Sequence, residues 1–148
     1  MSTWKDRLKY RLPRLAVVLH DLVMVWVCWQ GLHYMRYALQ PSPLSLAPFS
    51  STVLIVLVAQ GLVSWRVGLY RGLWRFASVP DLMNIFKASL LGLLAVVVGL
   101  FFYSRLDLVS RAALLLYPFA LTILLGAPRL IFRAWKDHRL LQTADGAE

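Results

Sequence analysis

One carboxylate lies inside an apolar stretch of the sequence and is the residue best suited to do chemistry. Asp21 follows His20, and it is the only acidic residue in any of the long apolar runs of the chain. A charge in hydrocarbon is costly, so such a carboxylate typically moves protons or pairs with a cation on another helix. Arg129, just after the last apolar run, is a candidate partner. Both roles stay open, and we favour the structural pairing.

The remaining reactive side chains form no recognisable site. Cys28 is the single cysteine, which excludes an internal disulfide and a cysteine-based zinc site. His33 lies about 20 Å of helix away from His20, too far for the two to share a metal ion. The chain has no glycine-rich nucleotide-binding pattern and no credible Ser/His/Asp set. We therefore predict no catalytic, cofactor-binding or metal-binding residue.

The composition places the chain in the membrane class. Of the 148 residues, 59% are hydrophobic and only 16% are charged, whereas soluble domains contain about 25% charged residues. The mean hydropathy is +0.64. The net charge of +9 suggests an anionic partner, and in so apolar a chain we expect anionic lipid headgroups rather than nucleic acid. These values exclude a disordered tail, a disulfide scaffold and most soluble enzymes.

Four apolar runs are long enough to cross a bilayer, whose core needs a helix of about 20 residues. Lipid offers backbone groups no hydrogen-bond partners, so such runs must be helices. We predict an all-α, polytopic domain over residues 1–140, followed by residues 141–148 as a cytoplasmic tail or the start of a linker. The four transmembrane helices are expected at about residues 15–35, 46–65, 85–103 and 108–127.

Basic residues predict the orientation, because the cytoplasmic flanks of spans collect Lys and Arg. All but three of the 16 Lys and Arg residues lie near the termini or around the loop between the second and third spans. The three on the other side are Arg36, Arg105 and Arg111. We therefore expect a multi-pass protein of the bacterial inner membrane with both termini in the cytoplasm.

The loop between the second and third spans is predicted to lie along the membrane surface. It contains Arg71, Trp74 and Arg75, a mixture of cations and aromatic rings that suits the headgroup level. The segment Ser78–Asp81 then fits a capping box, so the third helix should begin near Val79. Basic residues beside spans could also hold a phosphate, although orientation is their commoner role; the candidates are Arg71, Arg75, Arg129 and Arg133.

Small residues form a stripe on one face of the third span. Ala88, Gly92, Ala95 and Gly99 recur at helical spacing, and such faces let helix backbones approach closely in lipid. The stripe could be the seam of a homodimer or could pack against another span of the same chain. We favour packing within the chain.

The loop and its flanks resemble a known family. The string GLYRGLWRFASVPDL at residues 68–82 closely resembles the cytoplasmic loop in the membrane portion of bacterial nucleotide-sugar 4,6-dehydratases, the WbpM/CapD-like proteins of polysaccharide biosynthesis. LPRLAVVLHDL at 12–22 is similar to the first span of that family, and Arg36 matches the arginine that often closes this span. GAPRLIFRAWKDHR at 126–139 resembles the exit of its fourth span. The likeness covers about residues 11–140.

The resemblance implies a membrane anchor for a cytoplasmic Rossmann-type domain. In that family the catalytic domain uses NAD(P) to convert a UDP-N-acetylhexosamine to its 4-keto-6-deoxy form for O-antigen, capsule or glycan synthesis. This sequence ends at Glu148, before any dinucleotide fingerprint, so we expect a fragment or a free-standing membrane domain without enzyme activity or bound NAD(P). Its expected partners are a catalytic domain, other polysaccharide-synthesis proteins or further copies of itself.

Two other functions remain open from the sequence. One is a small four-helix, proton-coupled exporter in which Asp21 is the essential carboxylate. The other is the membrane part of a polyprenyl-phosphate sugar transferase. The strong basic bias and the long basic loop favour the anchor over the exporter.

Overall fold

The described part of the chain is entirely helical. The computed structural model describes residues 4–39, 50–70, 79–107 and 109–145, and no strand occurs in these ranges. The all-α prediction is therefore confirmed. The helices are α1 (Trp4–Leu39), α2 (Ser51–Val67), α3 (Val79–Ser104) and α4 (Arg111–Asp145).

Three of these helices are long and apolar enough to cross a membrane. The qualifying segments are Arg14–Leu39, Val79–Ser104 and Arg111–Leu140. α2 is also apolar, but it has only 17 residues, which corresponds to about 25 Å of helical rise. Length and composition thus support membrane-spanning helices at three of the four predicted positions, and the predicted second span is the short α2.

The helix boundaries differ from the predicted spans. α2 begins at Ser51 rather than at 46, because Ser50 is extended (φ −74°, ψ 161°) and its hydroxyl accepts a hydrogen bond from the Val53 amide. α1 already begins at Trp4, and α4 continues to Asp145. Hydropathy marks the part of a helix that suits lipid, and this part need not end where the helix ends.

The start of α3 agrees with the sequence. The helix begins at Val79, as the capping pattern predicts, with Asp81 in its first turn; Ser78 itself lies outside the described residues. α2 ends at Val67, and the capping residue Gly68 has a left-handed conformation (φ 80°, ψ 25°) that lets its amide reach carbonyl groups of the last turn. α4 starts after Ser110, whose hydroxyl accepts a hydrogen bond from the Ala113 amide at 3.4 Å.

The helices form a ring in chain order. Each packs against the next, and α4 packs against α1, whereas the diagonal pairs α1–α3 and α2–α4 make no close backbone contact. Contacts at two depths show that neighbours run antiparallel. Gly92 and Gly99 of α3 face Gln60 and Ile55 of α2. Leu82 and Ser89 of α3 lie beside Gly126 and Thr122 of α4. The result is an up-and-down four-helix bundle.

The bundle buries a mixed aromatic and aliphatic core and exposes large apolar side chains. Trp29, Ile85 and Tyr117 are almost fully buried at the centre. Outward-facing residues include Phe102, which is 83% exposed, and Leu115, which is 72% exposed. An outer surface of this kind is unfavourable in water and suits contact with lipid chains.

The small-residue stripe of α3 lies against α2. Gly92 faces the Gln60 side chain so closely that an added methyl group would overlap it. A methyl group on Gly99 would lie 3.0 Å from Ile55 of α2. The Ala88 carbonyl accepts a hydrogen bond from the Gln60 amide at 3.2 Å. These contacts lie within one chain, so the stripe has a packing partner without a second copy.

The close approach of α2 and α3 predicts a strong effect of bulk at Gly92. Gly92→Leu should lower the free energy of unfolding by about 1–3 kcal/mol through overpacking, because the Gln60 side chain cannot move without giving up its buried hydrogen bonds. Gly31→Leu is the matched control, since nothing lies within 4 Å of a methyl group there. Titration with SDS in mixed micelles, followed by circular dichroism, measures both variants. Equal stability of the two would contradict the assigned helix contact.

Candidate functional site

A cluster of charged side chains lies at the end of the bundle that carries Arg14, Arg66 and Arg129, called the basic end below. Its centre is an ion pair between α1 and α4, with Arg129 Nη2 at 3.3 Å from Asp21 Oδ2. Asp21 is 3% exposed and Arg129 is 8% exposed. The two helices run antiparallel, which brings these residues to the same depth although 108 positions separate them.

Arg129 also reaches a second carboxylate. Its Nη1 lies 3.6 Å from Asp81 Oδ2, in the first turn of α3. The Asp81 side chain is 30% exposed, so it stands at the boundary of the buried cluster. One guanidinium on α4 therefore joins α1 and α3, two helices that lie on a diagonal of the bundle and do not pack directly. The fork shape of the guanidinium group suits this double contact.

The second oxygen of Asp21 has a neighbour of its own. His20 Nδ1 lies 3.2 Å from Asp21 Oδ1, and the His20 side chain is 32% exposed. A neutral imidazole with its proton on Nδ1 donates to the carboxylate, and a protonated imidazole adds a positive charge. Both carboxylate oxygens are thus engaged, one by Arg129 and one by His20.

Tyr70 completes the cluster from the turn that follows α2. Its hydroxyl is buried and has no hydrogen-bond partner among the described residues. Burial raises the pKa of Tyr70 to about 12, and the negative charge of Asp21 adds to the rise, while the nearby Ser64 hydroxyl and the charge of Arg129 oppose it. The phenol therefore stays neutral at physiological pH and remains a hydrogen-bond donor beside the ion pair.

A second polar network, which the sequence analysis missed, lies deeper in the bundle. Gln60 of α2 is 1% exposed. Its amide nitrogen donates to the Ala88 carbonyl at 3.2 Å and to the Ser64 hydroxyl at 3.3 Å, and its oxygen accepts from the Tyr117 hydroxyl at 3.0 Å. The available signal was a glutamine in the middle of an apolar helix, because a polar group in lipid needs partners.

A polar contact also joins α1 to the start of α4 at the opposite end of the bundle. Arg36 Nη1 donates to the Ser110 hydroxyl at 2.7 Å. The same hydroxyl caps the first turn of α4. The α1–α4 pair is thus joined by polar groups near both of its ends, at Asp21 with Arg129 and at Arg36 with Ser110.

The other predicted residues do not join the cluster. Arg133 lies on the exposed continuation of α4 and forms an i,i+4 pair with Asp137 at 3.6 Å. Arg71, Trp74 and Arg75 lie outside the described residues. Among the described residues, no group of three His, Cys, Asp or Glu side chains could hold a metal ion.

These features define a class of protein. The described part of the chain is an antiparallel helical bundle. Three of its helices are long and apolar enough to cross a membrane, and a buried ion-pair cluster joins the helices at one end. No known family model matches the chain, and neither a curated protein nor a solved structure matches it.

The structure predicts that removing Arg129 and removing Asp21 will lower the stability by different amounts. Arg129→Met leaves Asp21 buried without a cation and should cost about 3 kcal/mol of unfolding free energy. Asp21→Asn should cost only about 1 kcal/mol, since the amide still accepts a hydrogen bond and Arg129 keeps Asp81. The double variant should cost less than the sum of the two single losses. Unfolding in mixed micelles measures all three.

Arg111→Met is the control for this series, because Arg111 is an exposed cation on the same helix at the other end. Its effect should stay within about 0.5 kcal/mol. If the losses of unfolding free energy at Asp21 and Arg129 are additive, the two residues do not interact. A loss in Arg111→Met as large as that in Arg129→Met would contradict a specific role of the ion pair.

Tyr70 predicts a loss of stability at alkaline pH. The raised pKa means that the folded protein favours the neutral phenol. The contribution of neutral Tyr70 to the stability is therefore complete below pH 10, and it is lost as the pH rises towards about 12. Helicity of the wild type should therefore fall more than that of Tyr70→Phe between these values. Circular dichroism during a base titration makes the comparison, with the exposed Tyr103→Phe as control. Identical curves for the wild type and Tyr70→Phe would contradict this account.

Proposed function

We propose that this chain is a non-catalytic membrane anchor and interaction domain of the bacterial inner membrane, serving polysaccharide biosynthesis. The main support for the anchor role is that the Asp21 carboxylate is buried and contacts both Arg129 and His20. The polysaccharide part of the proposal rests on the likeness of the segment at 68–82 to the dehydratase family.

The ion pair favours an anchor over a proton-coupled carrier. A carrier needs a carboxylate that takes up and releases a proton in each cycle and is reached by its substrate. Asp21 instead has a cation at 3.3 Å, and this cation also contacts Asp81. Releasing the pair would leave a charge uncompensated inside the bundle, which is strongly unfavourable. This geometry supports a fixed structural role for Asp21.

The continuation of α4 supports a role in connecting the membrane to another protein domain. Residues 130–140 are all exposed and stay helical as far as Asp145. The distance from Arg111 to Arg129 corresponds to about 27 Å of helical rise, close to the hydrocarbon thickness of about 30 Å. The residues after Arg129 thus extend beyond the hydrocarbon as a helical connection. An NAD(P)-dependent nucleotide-sugar enzyme is the partner that we propose for it.

The proposed topology has four spans and both ends in the cytoplasm. α2 covers about 25 Å by helical rise, which is short but within the range that spans a bilayer when the flanking residues lie in the headgroup region. Its basic last turn, with Arg66, then lies on the same side as Arg14 and Arg129. The distribution of Lys and Arg in the sequence gives the direction.

Cysteine labelling tests this topology directly, because Cys28 is the only cysteine and is buried. Asp107→Cys and Gln142→Cys place thiols at exposed positions on opposite ends of the bundle. A membrane-impermeant maleimide should label Asp107→Cys in intact cells and Gln142→Cys only after the membrane is inverted. The reverse result, or labelling of both in intact cells, would contradict the topology. The wild type, which should stay unlabelled, is the control.

Genetic complementation separates the anchor from the carrier. Loss of the chain from its host should reduce surface polysaccharide, and Asp21→Asn should restore the wild-type amount when it is present in the membrane at the same level. A carrier that needs the Asp21 carboxylate would fail with this variant. Unchanged polysaccharide in the strain that lacks the chain would contradict the polysaccharide role while leaving the anchor role to the labelling experiment.

A further inference from the structure

An apolar groove runs along the outside of the bundle between α1 and α2. It has a volume of about 450 Å³ and is lined by apolar side chains of both helices, including Val18, Leu57 and Trp65. Along α2 it extends from Leu57 to Trp65, which corresponds to about 12 Å of helical rise. The groove therefore occupies the half of the bundle next to the basic end.

The floor of the groove is formed where the two helices approach each other. Gly61 presents no side chain there, and a methyl group added to it would lie 3.3 Å from Leu22 of α1. The Tyr70 ring contributes to the wall at the basic end. The groove is thus a surface feature of the bundle that opens towards its surroundings, and in a bilayer these surroundings are lipid chains.

Helical spacing places a cation one turn beyond the end of the groove. Arg14, Val18 and Leu22 follow one another at intervals of four residues, so they lie on one face of α1. Val18 and Leu22 line the groove, and Arg14 comes one turn beyond them towards the basic end, with an exposed side chain. Trp65, which is 70% exposed, stands on the α2 side. An aromatic ring and an arginine in this position suit a lipid phosphate.

A second groove on the other side of α2 provides a contrast. It lies between α2 and α3, has a volume of about 500 Å³ and is lined only by apolar residues, among them Ile55, Val63 and Ala95. It contains no aromatic side chain and no charge. The two grooves offer similar apolar space, but the α1–α2 groove also has the aromatic side chains Trp65 and Tyr70 in its wall.

We propose that the α1–α2 groove is a binding site for an anionic phospholipid, with one acyl chain along Val18, Leu57 and Gly61 and the phosphate at Arg14. The apolar walls match the acyl chain, and the exposed guanidinium matches the negative headgroup. The site would hold a lipid against the helix that carries Asp21 and next to the turn that carries Tyr70. It goes beyond the anchor role and does not depend on the link to polysaccharide synthesis.

Native mass spectrometry of the full chain in a neutral detergent tests the site, with phosphatidylglycerol and phosphatidylcholine of identical acyl chains as probes. The wild type should bind one phosphatidylglycerol more tightly than phosphatidylcholine. Arg14→Gln should weaken phosphatidylglycerol binding about fivefold, the effect of one basic residue at an anionic surface, and leave phosphatidylcholine unchanged. Val18→Trp, which fills the groove, should weaken the binding of both lipids.

Two matched variants control for position. Lys87→Gln removes an exposed cation of α3 at the same end, on a helix that does not line the α1–α2 groove. Val63→Trp fills the other groove. Both variants should keep the wild-type affinity for both lipids. The proposal is overturned by equal binding of the two lipids to the wild type, by a loss in Lys87→Gln equal to that in Arg14→Gln, or by a loss in Val63→Trp equal to that in Val18→Trp. If Val18→Trp does not fold, Arg14→Gln decides, because it changes only an exposed side chain.

Discussion

The bundle depends on one buried ion pair, between Asp21 of α1 and Arg129 of α4. Inside an apolar bundle a charge must be paired, because a buried charge without a partner is strongly unfavourable. This requirement sets the depth of α1 against α4. Since Arg129 also reaches Asp81, the same residue places the first turn of α3. Three helices are thus set relative to one another by the position of a single guanidinium group.

A neutral network performs the corresponding task for α2. Apolar surfaces alone discriminate poorly among helix arrangements in lipid, since lipid tails are as apolar as the side chains that face them. Gln60 binds α3 through the Ala88 carbonyl and α4 through the Tyr117 hydroxyl. Gly92 leaves the space that this glutamine occupies. The small-residue stripe and the polar network are therefore two parts of one contact, and a substitution in either should disturb both.

A bundle held in this way suits a fixed platform. Its charged residues are engaged with one another where they are buried, and its outer surface is apolar. Two accessible features lie at the basic end: the exposed residues 130–140 of α4 and the end of the α1–α2 groove. The proposed anchor can bind a protein through residues 130–140 and a lipid in the α1–α2 groove at the same time. Neither interaction requires the bundle to change its conformation.

The sequence by itself determined the helical class, the start of α3 at Val79 and the candidate pair of Asp21 with Arg129, because hydropathy, capping and the cost of a buried charge are readable from local composition. It did not show the short α2 or the helical continuation of α4, since hydropathy does not mark helix ends. Tertiary structure alone decided that Asp81 shares Arg129 and that Gln60 meets Tyr117. Those contacts depend on how each helix is rotated and which helices are neighbours, and these relations between distant residues are absent from any local pattern.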